Sequence, residues 1–351
     1  MRTADKQLSV VAELRTKIVQ GVFPPGGKLP TRAELERYFG VSAATLQGAM
    51  DHLSRDRFIE SKGRSGTFVV KTPPWLSTYA LLMADHPSAN ASQFWTAILN
   101  EAYKLDKIGK TRLPVFYGFG PMHLRPDDFV DYYSIIEDVR AHRLGGLIFV
   151  TNPDYFEGTP IVSERIPSVA VKTASALGIP GVYPDMVALV EQSLDYLQAL
   201  GRRRVAVAGL DLSFTGRYTP QRLQAAIESR GMVTRPFWNL QLESVRPQGV
   251  QACANLLMHC TERPDAIVIA DDNLVPNFTA GLLASGVRIP DDLEIVAHAN
   301  FPWPTQSMAP ARRIGFDIHR LLEMCIEILA AQRDGKPVPE LTLLPPLMQD
   351  E

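Results

Sequence analysis

The segment LPTRAELERYFGVSAATLQGAM, residues 29–50, contains two short helical patterns separated only by Gly40, Val41 and Ser42. The first pattern begins at Thr31, and the spacing of Thr31 and Glu34 is that of a capping box, in which each side chain accepts a hydrogen bond from the other's backbone amide. Ser42 is a typical N-cap for the second helix. The sequence therefore predicts two short helices joined by a tight turn.

The second of these helices has a predicted inner face. Its apolar residues recur at positions i, i+3, i+4 and i+7 and are therefore expected to point into a core; they are Leu46, Ala49, Met50 and Leu53. By elimination, the outward positions are Ala43, Ala44, Gln47 and Asp51.

The flanking segments complete a small domain. LSVVAELRTKIVQGVF (8–23) predicts an amphipathic helix that ends near Gly21, with Leu8 and Val22 at the two ends of its apolar face. RFIESKGRSGTFVV (57–70) predicts a two-stranded hairpin with a basic, glycine-rich tip. A helix, two helices joined by a tight turn and a hairpin make a winged helix-turn-helix, in which one helix is sized for the major groove and another braces it.

Charge is distributed unevenly along the chain. Residues 1–71 contain 12 Lys and Arg against 7 Asp and Glu, whereas the remainder contains 24 against 31. A basic head on an acidic body predicts that only the head contacts a polyanion. The KTPPW run, residues 71–75, interrupts any regular element, because each proline lacks a backbone donor. The predicted domains are a head at 1–71, a linker at 72–76 and a body at 77–351.

The head contains a set of spaced residues over about 60 positions that is typical of one family; they are Pro25-Gly26, Lys28-Leu29-Pro30, Leu35, Gly40-Val41-Ser42, Thr45, Ala49, Leu53, Ile59 and Gly66-Thr67-Phe68-Val69. On these matches the head resembles the GntR family of bacterial regulators. The chain departs from the family at Ala33, Ala43 and Gln47, where the family often has arginine, and at Arg32, where an acidic residue is common. The resemblance implies a DNA-binding domain.

Gln47 is the predicted base reader, because a glutamine amide pairs bidentately with adenine in the major groove. The side chains of Ala43 and Ala44 are short enough to let the helix insert deeply into the major groove or to contact a thymine methyl group. Cations at Arg32, Lys62 and Arg64 are placed to reach phosphates. The full set of predicted DNA contacts is Thr31, Arg32, Ser42, Ala43, Ala44, Thr45, Gln47, Lys62, Arg64 and Gly66. The alternative is that these residues form the solvated face of a protein-interaction module.

The body alternates apolar strand segments with amphipathic helices. The predicted strands are 79–84, 113–118, 145–150, 167–172, 204–210, 266–270 and 293–298. Continuous apolar strands between helices predict an α/β fold with parallel sheets covered on both faces, and the length favours two lobes. Ligands of such sheets bind beyond the carboxyl ends of the strands. The carboxylates, amides and guanidinium there suit a polyhydroxylated or zwitterionic small molecule, and we find no phosphate loop, nucleophile elbow or metal-binding helix motif.

Two runs of the body are informative, YPDMVALVEQSLDYLQALGRRRVAVAGL (183–210) and GVRIPDDLEIV (286–296), and the second is the more specific. Through these runs the body resembles the LacI/GalR effector domain, a fold shared with periplasmic sugar-binding proteins. The chain departs from the family's PLTT signature at 310–313. Matched residue by residue, the resemblance implies effector contacts from Arg222 and Asp272 in one lobe. From the other lobe it implies contacts from Asp85, Asn152 and Lys172.

These observations predict a cytoplasmic, dimeric transcription regulator that binds a near-palindromic operator in double-stranded DNA. A small-molecule effector, a sugar or related metabolite, is expected between the lobes, with relief of repression favoured over corepression. Arabinose repressors of some bacteria are similar in combining the same two parts. We predict no cofactor, no metal and no membrane association, because the three cysteines are scattered and no apolar run is long enough. The alternatives are an α/β enzyme using Asp271 or Asp272 as acid or base, and a solute-binding protein, for which an export signal is missing.

Overall fold

The computed structural model describes residues 3–84, 92–109, 111–119, 131–172, 175–209, 219–242 and 246–349. The chain forms two compact units. One unit comprises Met1–His86, Ala102–Gly181 and Cys325–Glu340, and the other comprises Pro87–Glu101, Val182–Met324 and Leu341–Glu351. Each unit is therefore assembled from segments that are far apart in the sequence.

The N-terminal part of the first unit is the head. Its elements are α1 (Thr3–Val19), α2 (Arg32–Phe39), α3 (Ala43–Arg55), β1 (Ile59–Ser61) and β2 (Thr67–Val69). The two strands pair antiparallel, with Ile59 opposite Val69. The predicted order of helix, two helices joined by a tight turn and hairpin is confirmed.

The core of the head lies between α1, α3 and the hairpin. The predicted inner face of α3 is confirmed, because Leu46, Ala49, Met50 and Leu53 are all buried. The predicted face of α1 is partly wrong, since Leu8 and Val22 are both 58% exposed. Val10 is buried in place of Leu8. Val22 lies beyond the end of α1 at Val19 and so cannot share its face.

The rest of the first unit is an α/β lobe, the first lobe. Its elements are α4 (Pro74–Ser77), β3 (Tyr79–Met83), α5 (Gln93–Ile108), β4 (Val115–Phe116), α6 (Tyr132–Arg140), β5 (Gly146–Val150), α7 (Pro160–Ser163) and β6 (Ser168–Val171). The range of α5 is that of the whole helix, of which only the residues from Ala102 onward belong to this unit. These four strands are neighbours in a six-stranded sheet, in the order β4, β3, β5, β6, and all three pairs among them are parallel. Every residue of β3 and β5 is buried, as expected for central strands covered on both faces. Inside the predicted linker, α4 begins at Pro74.

The second unit holds the second lobe. Along the chain, the segments of this unit contain β7 (Gly181–Pro184), α8 (Met186–Ala199), β8 (Val205–Gly209), α9 (Pro220–Glu228), β9 (Asn239–Gln241), α10 (Pro247–His259), β10 (Ala266–Ile269), α11 (Val275–Ala284), β11 (Glu294–Phe301), β12 (Arg312–Asp317), α12 (Ile318–Arg333), β13 (Leu341–Leu344) and β14 (Leu347–Met348), of which β7 and α12 also include residues of the first unit. Its sheet has the order β14, β12, β11, β10, β8, β9, and only the β12–β14 pair is antiparallel among the pairs described. The predicted α/β class with parallel sheets is confirmed.

Candidate DNA-reading surface and effector site

The N-terminus of α3 is closed by its own side chains. The Ser42 Oγ accepts a hydrogen bond from the Thr45 backbone amide at 3.3 Å, and the two hydroxyl oxygens are 3.0 Å apart. Thr45 is only 4% exposed, so its side chain mainly stabilises the turn. Ala43, Ala44, Gln47 and Asp51 are exposed, which confirms the predicted outer face.

The N-terminus of α2 carries the predicted capping box. The Thr31 amide donates to Glu34 Oε2 at 2.7 Å, and the Glu34 amide donates to Thr31 Oγ1 at 3.4 Å. The hydrogen bonds from the side chain and backbone of Thr31 lower the pKa of Glu34. At the other end, Gly40 adopts a left-handed conformation with φ 62°, which a residue without a Cβ reaches at little cost.

Arg32, Gln47 and Asp51 form one hydrogen-bonded chain on the surface of the head. The Arg32 Nη1 donates to Gln47 Oε1 at 2.6 Å, and the Gln47 Nε2 donates to Asp51 Oδ1 at 2.7 Å. All three side chains are exposed. The structure thus joins a predicted phosphate contact on α2 to the predicted base reader on α3.

The hairpin tip places positive charge close to an aromatic side chain. The Lys62 Nζ lies 2.9 Å from Glu60 Oε1 and 5.0 Å from the centre of the Phe68 ring. Arg64 is exposed at the tip. Lys28, which was not among the predicted DNA contacts, packs against Gly66. A Cβ added at Gly66 would lie only 2.8 Å from the Cε of Lys28. Lys28 belongs to the KLP part of the GntR-like pattern, so the signal was present.

These cations have different freedom to meet a phosphate. The charge of Lys62 is partly neutralised by Glu60. The backbone of Lys28 pairs with Phe68 of β2 in an isolated antiparallel β-bridge. Arg64 has no ion-pair partner in the described ranges. An exposed, flexible arginine on a wing can contact a DNA backbone without losing an internal partner.

The head and the first lobe meet at the C-terminus of α3. Asp56, the C-cap residue of α3, accepts a hydrogen bond from Arg15 of α1. Trp75 of α4 packs on Phe58, with ring centres 5.4 Å apart. Sequence reasoning missed both contacts, because neither is determined by the periodicity of a single helix or strand.

The first-lobe candidates lie at the carboxyl ends of neighbouring strands. Asn152 follows β5, and its Oδ1 accepts the Asp154 amide at 3.0 Å. Lys172 follows β6 and has a positive φ of 58°, a conformation that costs free energy in a residue with a Cβ and is common at functional sites. Asp85 lies outside the described residues. The roles of Asn152 and Lys172 in effector binding stay predictions.

In the second lobe, Asp272 follows β10 and is only 2% exposed. Its carboxylate accepts a hydrogen bond from the side chain of Asn300, which is fully buried on β11. Burial lowers the pKa of Arg313, while the nearby Asp272 carboxylate opposes this by favouring the charged guanidinium. Neither Asn300 nor Arg313 was among the predicted site residues.

Two atoms of this buried cluster have hydrogen-bonding capacity left. The Oδ1 of Asn300 and the Nη1 of Arg313 are buried without a hydrogen-bond partner among the residues that the structure describes. One is an acceptor and the other a donor. Arg222, the other predicted contact, is exposed in the first turn of α9, where its amide donates to Thr219 Oγ1 at 3.2 Å. Its effector contact stays a prediction.

The described residues contain no group of three or more His, Cys, Asp or Glu side chains able to hold a metal ion. They also contain no helix long and apolar enough to cross a membrane.

Two family models match separate parts of the chain. Residues 6–69 match the bacterial regulatory proteins of the gntR family, and residues 194–349 match the periplasmic binding protein-like domain. The chain therefore combines a GntR-type helix-turn-helix domain with a periplasmic-binding-protein-like domain, as predicted.

Several curated proteins are similar to the head alone. The Uxu operon regulator of Haemophilus influenzae is 42% identical over 60 residues, which is 17% of this chain and 23% of that protein. The HTH-type transcriptional regulator Rv1152 of Mycobacterium tuberculosis is 38% identical over 66 residues, 18% of this chain and 54% of that protein. The chain thus matches about a quarter to a half of the length of these relatives.

One relative matches through both parts. The arabinose metabolism transcriptional repressor of Geobacillus stearothermophilus is 22% identical over 366 residues, covering 97% of each chain. Among solved structures, a regulatory protein of the LacI family from Chloroflexus aggregans has a TM-score of 0.57 at 20% identity, covering 77% of this chain and 96% of that chain. CcpA of Lactococcus lactis has a TM-score of 0.52 at 18% identity, covering 78% and 97%. These structural likenesses establish the fold.

Proposed function

We propose that this chain is a bacterial transcription repressor whose affinity for operator DNA is controlled by a small-molecule effector. The observation that carries the proposal is the combination, in one chain, of the exposed outer face of α3 and a basic wing with a periplasmic-binding-protein-like domain. The relatives named above are transcription regulators. Operator DNA lies in the bacterial cytoplasm, and the proposed repressor acts there.

DNA is bound through the head. The outer face of α3 enters the major groove, with Gln47 at the base edges, and the wing cations Lys62 and Arg64 contact phosphates. Thr31, Ser42 and Gly66 present backbone or hydroxyl groups near the backbone of the DNA. The repressor is a homodimer on a near-palindromic site, because a two-fold protein presents two equivalent reading helices.

The effector is a sugar or related metabolite that contacts Arg222 and the Asp272 cluster, together with Asp85, Asn152 and Lys172. The name of the full-length relative concerns arabinose metabolism, so pentoses are the first compounds to test. The spare acceptor of Asn300 and the spare donor of Arg313 suit a hydroxyl group, which both donates and accepts. An effector that binds one conformation of the protein more tightly changes operator affinity only if the two heads of the dimer are positioned differently in that conformation.

The test combines DNA selection with ligand screening on the full chain. The chain selects duplexes from a randomised pool, and fluorescence anisotropy then measures the affinity of the selected duplex with and without each sugar. A ligand at 100 times its Kd should stabilise the chain by about 2.7 kcal/mol in a thermal-shift screen. Selection of no duplex at any salt concentration contradicts the repressor function.

A further inference from the structure

The side-chain amide of Gln47 is held at both ends. Its Oε1 accepts from Arg32 at 2.6 Å, and its Nε2 donates to Asp51 at 2.7 Å. A guanidinium has only donors and an ionised carboxylate has only acceptors. Of the two orientations of the amide, therefore, only the observed one satisfies both neighbours, because the flipped amide would set donor against donor and acceptor against acceptor.

The held amide keeps half of its hydrogen-bonding capacity. After the bond from Arg32, Oε1 has one lone pair left, and after the bond to Asp51, Nε2 has one N–H left. One acceptor beside one donor is the pattern that pairs with the N6 amino group and N7 of adenine. Guanine offers two acceptors at the same edge, so the Gln47 oxygen would face another oxygen.

We propose that Arg32 and Asp51 are positioning residues that fix the polarity of the Gln47 amide and so make the head specific for adenine at one position of each half-site. The inference rests on the proposed DNA binding. Holding Gln47 before contact also lowers the entropy lost when the complex forms. In the described part of the chain, Arg32 and Asp51 make no other side-chain hydrogen bond or ion pair, and each acts on this surface through Gln47.

The experiment measures base preference rather than affinity alone. The full-length parent and the variants Gln47→Ala, Arg32→Ala, Arg32→Lys and Asp51→Ala each select from a randomised duplex pool, and sequencing gives relative affinity at every base pair. Arg37→Ala is the matched control, since Arg37 is an exposed arginine on the same helix whose Nε donates to the Ala33 carbonyl. Thermal melts verify that each variant is folded, which is expected because the altered side chains are exposed.

Gln47→Ala should lower the preference for adenine at one base pair by about ten-fold. Arg32→Ala and Asp51→Ala should lower the preference at that same base pair by roughly three-fold or more, with guanine gaining most, while affinity for random DNA changes little. Arg32→Lys keeps a donor for Gln47 Oε1 and should retain most of the preference, and Arg37→Ala should leave the pattern unchanged.

Two results would overturn the inference while leaving DNA binding intact. If Arg32→Ala weakens all duplexes alike and flattens the salt slope by about one unit, Arg32 contacts a phosphate instead. If it changes preference at a base pair that Gln47→Ala does not affect, Arg32 reads a base independently. If the parent chain selects no duplex, the proposed function itself fails.

Discussion

The guanidinium of Arg143, which follows α6 of the first lobe, lies 3.5 Å from the carboxylate of Asp56 at the C-terminus of α3. Arg15 of α1 binds the same carboxylate, and Arg143 also binds Asp138 at 2.6 Å and Glu137 at 2.9 Å. We call Arg15, Asp56, Glu137, Asp138 and Arg143 the head–lobe ion cluster. Hydrogen bonds from Arg143 lower the pKa of Glu137, whereas burial raises the pKa of Asp138. The cluster links the proposed reading helix to the first lobe.

The first prediction concerns stability. Arg143→Ala should lower the free energy of unfolding by about 1–3 kcal/mol, between the values for exposed and buried ion pairs, because Arg143 and Asp56 are only partly exposed. The measurement is urea denaturation of the full chain. Arg140→Ala is the control, since Arg140 is the last residue of α6, three positions before Arg143, and binds Glu164 instead of the head. Equal losses in the two variants, or no coupling in a double-mutant cycle with Asp56→Ala, would show that the cluster does not hold the head.

The second prediction concerns regulation through the same cluster. If a change in the first lobe reaches α3 through Asp56, Arg143→Ala should bind operator without effector nearly as well as the parent chain but release it less when effector is added. The measurement is the ratio of operator Kd values with and without effector, again against Arg140→Ala. An unchanged ratio in Arg143→Ala would place the route of coupling elsewhere.

Local signals in the sequence predict the ends and faces of the head helices well. Thr31 and Ser42 form the predicted caps, because a cap depends on residues three positions apart. Leu46 and Leu53 are buried as their spacing indicates. The face of α1 was ambiguous, because Leu8 and Val10 both lie near the stripe that contains Leu14, and only packing within the head selects Val10.

What the sequence did not predict depends on residues brought together by tertiary structure. The bond between Arg32 and Gln47 joins two helices, and its existence depends on their crossing rather than on either pattern. Arg15, Asp56 and Arg143 come from three separate helical regions. Strands β9 and β14 have only three and two residues, which is too few to show the alternation of apolar and polar residues that predicts a strand.

The third prediction separates the cations of the wing. Arg64→Ala should weaken binding to all duplexes alike and flatten the salt slope by about one unit. Lys62→Ala should flatten it less, because Glu60 already neutralises part of the Lys62 charge. Glu60→Gln should correspondingly strengthen binding. The measurement is anisotropy over a series of salt concentrations, with Arg235→Ala, on the second lobe and paired with Glu262, as the control. A salt-independent affinity in the parent chain would contradict phosphate contact by the wing.

The fourth prediction follows from the lowered pKa of Glu34. A carboxyl group whose pKa is lower in the folded state stabilises the fold above its unfolded pKa of about 4.5, and this contribution is lost as the pH falls through the lower folded value. Glu34→Gln does not titrate, so the difference in unfolding free energy between parent and variant should shrink on acidification below about pH 4.5. Glu36→Gln, on the same helix but outside the capping box, is the control. A difference independent of pH would mean that the capping box is not formed in solution.

The fifth prediction tests the effector contacts of the second lobe. Arg222→Ala should weaken effector binding by about 2 kcal/mol or more, because a ligand group that meets the guanidinium would be left without its partner. Asp272→Asn keeps an acceptor for Asn300 but removes the charge that favours Arg313 in its charged form, so it should weaken effector binding and also destabilise the chain by about 1–3 kcal/mol. Operator binding without effector should be nearly unchanged in both variants, since the head is untouched.

The measurement is the anisotropy of labelled operator DNA during a titration with effector, together with thermal melts of each variant. Gln224→Ala is the matched control for Arg222, since Gln224 is exposed on the same helix and binds Glu228. If Arg222→Ala releases DNA at the same effector concentration as Gln224→Ala and the parent chain, Arg222 does not bind the effector; the same result for Asp272→Asn would limit Asp272 to a structural role.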